Sequence, residues 1–264
     1  MAVAKYVFRQ PDPFEYTKSI NYSIFYEFFR RKLSGEQDGD LFTKKRITYQ
    51  SFGGEVVVEA KGKFVKNQPS NSWSKPSHDG TVKKITYKYT DPVTGLVSTA
   101  KFTKINLTID QITSGNEDDL AEQMFAGNDK VKIKGLLDKL EVEKTGFDAL
   151  DSQAVRRGLV IFPFKFYDGD DIISVSGNLK VNIYGGNGSD EYVNIMTKKA
   201  SVFPEITVMD AEAGESMRLK GLNGGWNQYG GSETAWSVYK ENNVTNSGRM
   251  AAIIGATVDQ FDIF

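Results

Sequence analysis

The chain has 264 residues, enough to bury a core in one or two domains, and its 33 basic residues nearly cancel its 34 acidic ones. That balance argues against a generally basic surface, so no nucleic-acid partner is predicted. Cysteine is absent and His78 is the single histidine, which excludes disulfides, thiolate nucleophiles and multi-histidine metal sites. Because no phosphate-binding loop or nucleophile elbow occurs either, we expect no enzymatic activity.

The first predicted segment, residues 1–44, is helical and aromatic. Within it, apolar side chains at 19–33 recur at helical spacing while polar ones share another face, which predicts an amphipathic helix. A flat aromatic strand is the competing interpretation. The segment lacks the long apolar stretch of a secretory signal peptide, and no part of the chain has the roughly 18 consecutive apolar residues of a membrane span, so no span is expected.

The second predicted module, residues 45–150, is rich in β-branched and aromatic residues, which favours strands. A DPVTG turn at 91–95 predicts a hairpin, and the polar run at 66–80 predicts a loop. A short helix is expected at 116–126, because acidic residues suit the positive start of a helix and apolar residues follow at helical spacing.

The third predicted module, residues 151–264, alternates short apolar segments with Gly, Asn and Asp. Short strands separated by such residues are typical of a β-sandwich or a β-roll. The fold class predicted for the whole chain is therefore mainly β, built from β-sandwich or β-roll-like modules with a few short helices.

A Gly-x-Asp-x-apolar motif occurs three times, at 127–131, 169–173 and 188–192. The third copy belongs to GGNGSDEYV, residues 185–193, which fits the repeat pattern G-G-x-G-x-D-x-U-x of calcium-binding β-rolls at every specified position. In this pattern glycine lets the backbone aim carbonyl oxygens at one point, and aspartate brings the negative charge that Ca²⁺ prefers. Residues 177–185 keep the same frame, but Leu179 stands where the acid is expected.

The candidate metal ligands follow from these motifs. They are Asp190, Gly186, Gly188, Asp171, Gly169, Asp170, Asp129, Gly127 and Asn128. Since neighbouring coils of a roll share ligands, one repeat alone cannot complete a site, and we expect calcium to lie between coils within 165–195. The competing interpretation is that clusters of Gly, Asn and Asp simply form turns.

These motifs resemble those of the RTX-type, or haemolysin-type, calcium-binding proteins that bacteria export by type I secretion, with a decayed repeat region. MFAGND at 124–129 resembles the start of the repeats, GTVKKITYKY at 80–89 resembles the β-rich part before them, and VDQFDIF at 258–264 resembles the uncleaved export signal. A strand that ends a domain would have a similar composition. The resemblance implies a calcium cofactor, the type I secretion machinery as a partner, and an extracellular or cell-surface location in a bacterium.

The predicted function is that of a non-enzymatic, calcium-binding structural protein that self-assembles at the cell surface. A surface layer, a biofilm matrix fibre or an adhesive coat would suit it, and a homo-oligomer or polymer is expected. One alternative is a carbohydrate- or host-surface-binding module, since Trp226, Tyr229 and Trp236 lie among glycine and amide residues that suit sugar faces, with a cell-surface polysaccharide as partner. Another is a structural subunit of a virion or an appendage.

Overall fold

The described part of the chain is mainly β, which confirms the predicted fold class. A computed structural model describes residues 2–9, 28, 40–51, 54–67, 77–90, 92, 95–114, 117–125, 127, 129–135, 159–166, 168–177, 179–196, 204–222, 226–232, 235–240 and 249–264. Within these residues lie 17 strands, two short α-helices and one 3-10 turn. No helix among them is long and apolar enough to cross a membrane.

The first part of the chain forms long strands and both helices. These elements are β1 (Val3–Phe8), β2 (Leu41–Thr43), β3 (Arg46–Gln50), β4 (Val56–Asn67), β5 (Ser77–Thr90), β6 (Val97–Thr108), α1 (Ile109–Ser114) and α2 (Glu117–Phe125). Helix α2 confirms the short helix expected at 116–126. The bounds of β4 and β5 correct both ends of the loop predicted at 66–80, because residues 66–67 and 77–80 continue the ladder between the two strands, and residues 68–76 lie outside the described residues.

Polar contacts explain why this hairpin runs on into the predicted loop. Asn67 Nδ2 donates to Asp79 Oδ2 at 2.7 Å across the ladder. The ring of His78 stacks on Phe42 at 4.3 Å between centroids, and its Nδ1 lies 3.2 Å from the Tyr49 hydroxyl. The lone histidine is therefore part of the packing of the hairpin against β2 and β3.

The second part of the chain forms shorter strands. They are β7 (Lys130–Gly135), β8 (Leu159–Lys165), β9 (Ile172–Ser176), β10 (Leu179–Tyr184), β11 (Glu191–Ile195), β12 (Glu205–Val208), β13 (Ser216–Lys220), β14 (Trp226–Ser232), β15 (Ala235–Lys240), β16 (Arg249–Ile254) and β17 (Asp262–Ile263), with the 3-10 turn at Val258–Gln260 before the last strand.

Two sheets contain these strands. Sheet A has 11 strands in the order β17-β13-β11-β9-β7-β1-β6-β5-β4-β3-β2, and sheet B has six in the order β14-β15-β16-β12-β10-β8. Sheet A is antiparallel from β2 to β1 and parallel from β1 to β17. From β7 to β13 successive strands alternate between sheet A and sheet B, so the chain winds in coils, as in a β-roll.

The core lies between the two sheets, where alternate side chains of each strand are buried. On β1, for example, Tyr6 points inward and its ring lies 5.6 Å from Phe102 in sheet A and 5.1 Å from Phe164 in sheet B. The parallel coils continue this core with inward residues such as Val131 and Ile173. Alternation of this kind fixes the register, because a slip by one residue would turn every inward side chain to solvent.

Sheet A runs without a break across the predicted boundaries at 44–45 and 150–151. Strand β1 pairs with β6 on one side and with β7 on the other. The division into three segments stays a prediction. The predicted amphipathic helix at 19–33 lies outside the described residues except for Phe28, which is helical and buried, with its ring 5.4 Å from that of Tyr49.

Candidate functional site

The candidate site is a column of buried acids at the start of the parallel strands of sheet A. Asp129, Asp171, Asp190 and Glu215 directly precede β7, β9, β11 and β13, respectively. Because these strands are parallel and in register, the four acids lie side by side. Their exposed fractions are 2%, 1%, 1% and 0%, so the side chains face the interior. We call these four residues the acid column.

Hydrogen bonds link the aspartates of the column from coil to coil. The backbone N–H of Asp129 donates to Asp171 Oδ1 at 2.7 Å, and that of Asp171 donates to Asp190 Oδ1 at 2.9 Å. Asp129 Oδ1 in turn accepts the N–H of Ala2, just before β1. Each aspartate therefore ties its own coil to the neighbouring one, in addition to the ladder bonds of the strands.

Glu215 ends the column in a different way. Its Oε2 accepts the N–H of Glu212 at 3.1 Å within its own turn. Its Oε1 accepts the hydroxyl of Tyr192 at 3.4 Å, and the same hydroxyl lies 3.5 Å from Asp190 Oδ2. The longer side chain of glutamate thus reaches the column through Tyr192.

Two glycines of the GGNGSDEYV segment are required by close approach. Gly188 has φ +146°, and a Cβ there would lie 2.4 Å from the carbonyl oxygen of Gly169 in the neighbouring coil. A Cβ on Gly185 would lie 2.1 Å from Asp190 Oδ2 and 2.3 Å from the Tyr192 hydroxyl. These glycines let the turns stack closely, which brings the acids of the column together.

Acids at the outer side of the turns also accept backbone N–H groups. Asp170 Oδ1 accepts the N–H of Ser189 at 2.9 Å. Asp210 accepts the N–H groups of Gly185 and Gly186 at 2.9 and 3.1 Å. The carboxylates of the corners therefore hold the glycine turns in place from both sides.

Burial changes the protonation of the acid column. It raises the pKa of Asp171 to about 8, and the nearby charges of Asp190 and Asp129 add to the effect. Burial likewise raises the pKa of Glu215 to about 8, that of Asp190 to about 6, and that of Asp129 above its usual range. Near neutral pH the column therefore holds protons unless a cation compensates its charge.

The column meets part of what a calcium site needs. Asp171 Oδ2 is buried and has no hydrogen-bond partner, and an oxygen of this kind is a suitable ligand for Ca²⁺. Among the described residues, however, no group of three or more His, Cys, Asp or Glu side chains is placed to hold a metal ion. Backbone carbonyl oxygens of the glycine turns would therefore have to complete the coordination.

The structure brings together only some of the predicted ligands. Asp129, Asp171 and Asp190 share one column, and Asp170, Gly169, Gly186 and Gly188 lie in the turns beside it. Gly127 follows α2, where its N–H donates to the carbonyl of Phe125, and Asn128 lies outside the described residues.

Sequence reasoning missed Glu215 and Asp210. Neither lies in a Gly-x-Asp motif. Glu215 follows Gly214 directly, and Asp210 has valine, Val208, two positions before it. The usable signal was positional. Glu215 stands immediately before an alternating strand, as the three aspartates do, and such a position predicts a place in the same column.

The predicted aromatic platform is divided between core and surface. Trp236 is only 4% exposed, donates from Nε1 to the carbonyl of Ala256 at 3.0 Å and packs edge-on against Phe261. It is a core residue and cannot offer a face to a sugar. Trp226 is 36% exposed, and the side chain of Tyr229 lies outside the described residues.

The C-terminal residues that resemble an export signal form the last rung of sheet A. Phe261 is buried, and β17 pairs in parallel with β13. Phe264 is 56% exposed, with the Arg218 guanidinium 5.1 Å from the centre of its ring.

No family model, curated protein or solved structure matches this chain. The resemblance to RTX-type proteins therefore rests on the motifs themselves.

Proposed function

We propose that the protein is a non-enzymatic, extracellular structural protein of bacteria whose coils take up calcium as they fold. The acid column carries this proposal, since it places four buried carboxyl groups side by side. The charges that face Asp171 are those of Asp190, Asp129 and Asp170, so like charges meet in the interior. Such an arrangement requires either protons or a cation.

If a cation compensates the charge of the acid column, Ca²⁺ is the ion that suits an extracellular protein. Ca²⁺ is a hard cation that takes six to eight oxygen ligands, and carboxylates and backbone carbonyls are its usual partners in proteins. Asp171 and Asp190 would supply carboxylate oxygens, and the glycine turns around Gly169 and Gly186 would supply carbonyls. An ion that binds the folded chain alone converts its binding free energy into stability.

Export and assembly complete the proposal. A chain whose coils stay open at low calcium is suited to passage through a secretion channel before it folds outside. The two edges of sheet A lie at β2 and β17. Leu41 on β2 is 57% exposed, and Phe264, directly after β17, is 56% exposed. Edges of this kind favour contact with further copies of the chain, as in a surface layer or matrix fibre.

The direct test is thermal unfolding followed by far-UV circular dichroism, with a chelator and with millimolar calcium. We expect calcium to raise the melting temperature of the natural chain by several degrees. Asp171→Asn and Asp190→Asn should abolish that gain, because asparagine keeps the oxygen that accepts the backbone N–H but loses the charge. Light scattering under the same two conditions measures assembly.

Asp79→Asn is the matched control. Asp79 is an exposed acid on β5, far from the coils, so its substitution removes the same charge and should leave the calcium response intact. Magnesium at the same concentration should stabilise less, because it demands stricter octahedral geometry. If the melts with chelator and with calcium superimpose, the proposed calcium role is wrong and the column is held by protons alone.

A further inference from the structure

A groove with basic rims lies on the outer face of sheet A, on the side away from the core. It encloses about 540 Å³ over strands β7, β9, β11 and β13. We call it the basic groove and define it by its floor residues Ser174 and Ser176 and its rim residues Lys132, Lys134, Arg218 and Lys220.

The ladder register sets the geometry of the groove. Lys132 pairs with Ser174, and two strands further on the same row ends at Arg218. Three strand spacings of about 4.8 Å place the rims roughly 14 Å apart, and successive basic residues on one strand are roughly 7 Å apart. The rims are therefore two rows of positive charge at regular spacing, with Ser174, Ser176, Val193 and Ile195 between them.

The rim charges have few partners within the protein. Lys132, Lys134 and Lys220 are exposed and make no ion pair within the described part of the chain. Arg218 pairs at 2.7 Å with Glu191, which is the one acid that lines the groove. Most of the positive charge is thus available to an external anion.

Further lysines extend this positive face beyond the groove. Lys5 on β1, which also lines the groove, lies between Lys132 and Lys101 in one row of the sheet, and Lys84 on β5 pairs with Thr103 in the next row. Together with the four rim residues they place seven basic side chains on this face, where the acids of the same rows include Glu191 and Glu59. This face therefore carries an excess of positive charge although the chain as a whole is nearly neutral.

We propose that the basic groove binds an acidic polysaccharide. Its rims would pair with carboxylate or sulfate groups that recur along the glycan, and the hydroxyls of Ser174 and Ser176 would bond to sugar hydroxyls. Ile195, half-buried in the floor, offers an apolar contact to a sugar ring. The choice of a glycan rests in part on the proposed extracellular function.

The outer face suits a glycan better than a nucleic acid. The outward side chains of β7, β9, β11 and β13 include no aromatic ring on which a base could stack, and the exposed ring beside the rim, that of Phe264, already lies against the Arg218 guanidinium. The floor is a sheet face rather than a helix that could enter a major groove. The apolar floor residues are recessed below the rims, which disfavours insertion into a lipid surface.

The test measures binding of a fluorescent chondroitin sulfate decasaccharide to the full chain by thermophoresis, with a chelator and with millimolar calcium. We expect binding that weakens as salt is raised and that exceeds binding of a neutral dextran of equal length. The triple substitution K132Q/K134Q/K220Q should weaken binding about tenfold. Ser174→Leu, which fills the floor without changing the charge, should weaken it as well.

The matched control is K44Q/K45Q/K63Q, which removes the same charge at exposed positions on β4 and on the turn between β2 and β3. It should change affinity by less than about twofold. Equal losses in the two triple variants would overturn the groove as the site, and so would tighter binding of a DNA duplex or of phosphatidylserine vesicles. If the glycan binds but calcium does not change the melting temperature, the calcium role is rejected and the groove is retained. If calcium raises the melting temperature but the glycan does not bind, the groove alone is rejected.

Discussion

The antiparallel and parallel halves of sheet A share one alternation of inward and outward side chains but are held together differently. In the antiparallel half, β4, β5 and β6 have 12, 14 and 12 residues, and β5 pairs with both of its neighbours along the chain. In the parallel half, β9, β11 and β13 have five residues each, and the chain leaves for sheet B after β9 and β11. Short parallel strands have fewer ladder bonds to fix their register.

The corners of the coils supply the contacts between coils that the short ladders lack. The acid column bonds each coil to the next, and glycines allow the turns to approach within contact distance. In the antiparallel half a hairpin connection and a long ladder fix the register without such a device. The buried acids among the described residues thus all lie in the coils, where register cannot be set by a hairpin.

The largest expected effect comes from a glycine at a coil corner compared with a glycine in a hairpin turn. Gly177 has φ +88°, and a Cβ there would lie 2.0 Å from the carbonyl oxygen of Gly135. Gly95, between β5 and β6, has φ +71°, and a Cβ there would meet nothing within 4 Å. Gly177→Ala should lower the free energy of unfolding by more than about 3 kcal/mol, and Gly95→Ala by about 1 kcal/mol, in urea denaturation. Equal losses would show that the corners are no tighter than the hairpin.

The next effect concerns a buried side chain that joins the two sheets within the parallel half. Asn194 on β11 is fully buried, and its Nδ2 donates to the carbonyls of Pro204 and Met250 at 2.9 Å each. Asn194→Leu should cost about 2–3 kcal/mol, because it leaves two buried carbonyls without a donor. Ser98→Ala on β6 removes one bond, from the N–H of Arg9, and should cost about 1 kcal/mol. A smaller loss for Asn194→Leu than for Ser98→Ala would contradict this account.

The last comparison concerns the pH dependence of stability with a chelator present. Burial raises the pKa of Asp171 and that of Glu215 to about 8, so the folded chain keeps protons that the unfolded chain releases. Their contribution to stability is complete below the unfolded pKa of about 4 and is lost as pH rises toward 8, by about 1.4 kcal/mol per pH unit for each proton retained. Urea denaturation between about pH 5 and pH 8 measures the slope. Asp171→Asn should flatten it, and stability that rises with pH would refute the assignment.

Much of the fold could be predicted from the sequence because period-two alternation is a local property. It predicts a mainly β chain, and α2 was identified from its acidic start. The extension of β4 and β5 into residues 66–80 could not be read in this way, because it depends on contacts of His78 with Phe42 and Tyr49 from distant strands.

The site was predictable in its residues but not in its geometry. The Gly-x-Asp spacing identified Asp129, Asp171 and Asp190, which the structure places in one column. It could not show that each carboxylate accepts the N–H of the adjacent coil, since that depends on which coils are neighbours. The basic groove could not be predicted for the same reason. Lys132 and Arg218 are far apart in sequence, and only the register of three ladders places them in one row on opposite rims.

Amide hydrogen exchange with and without calcium tests most directly whether the acid column stabilises the parallel half. Read by mass spectrometry on the full chain, it reports both halves in one experiment. We expect calcium to slow exchange in peptides from β7, β9 and β11, whose adjoining amides at Asp129 and Asp171 donate to the column, and to leave β5 and β6 unchanged. Equal slowing in both halves, or no change in either, would contradict the account.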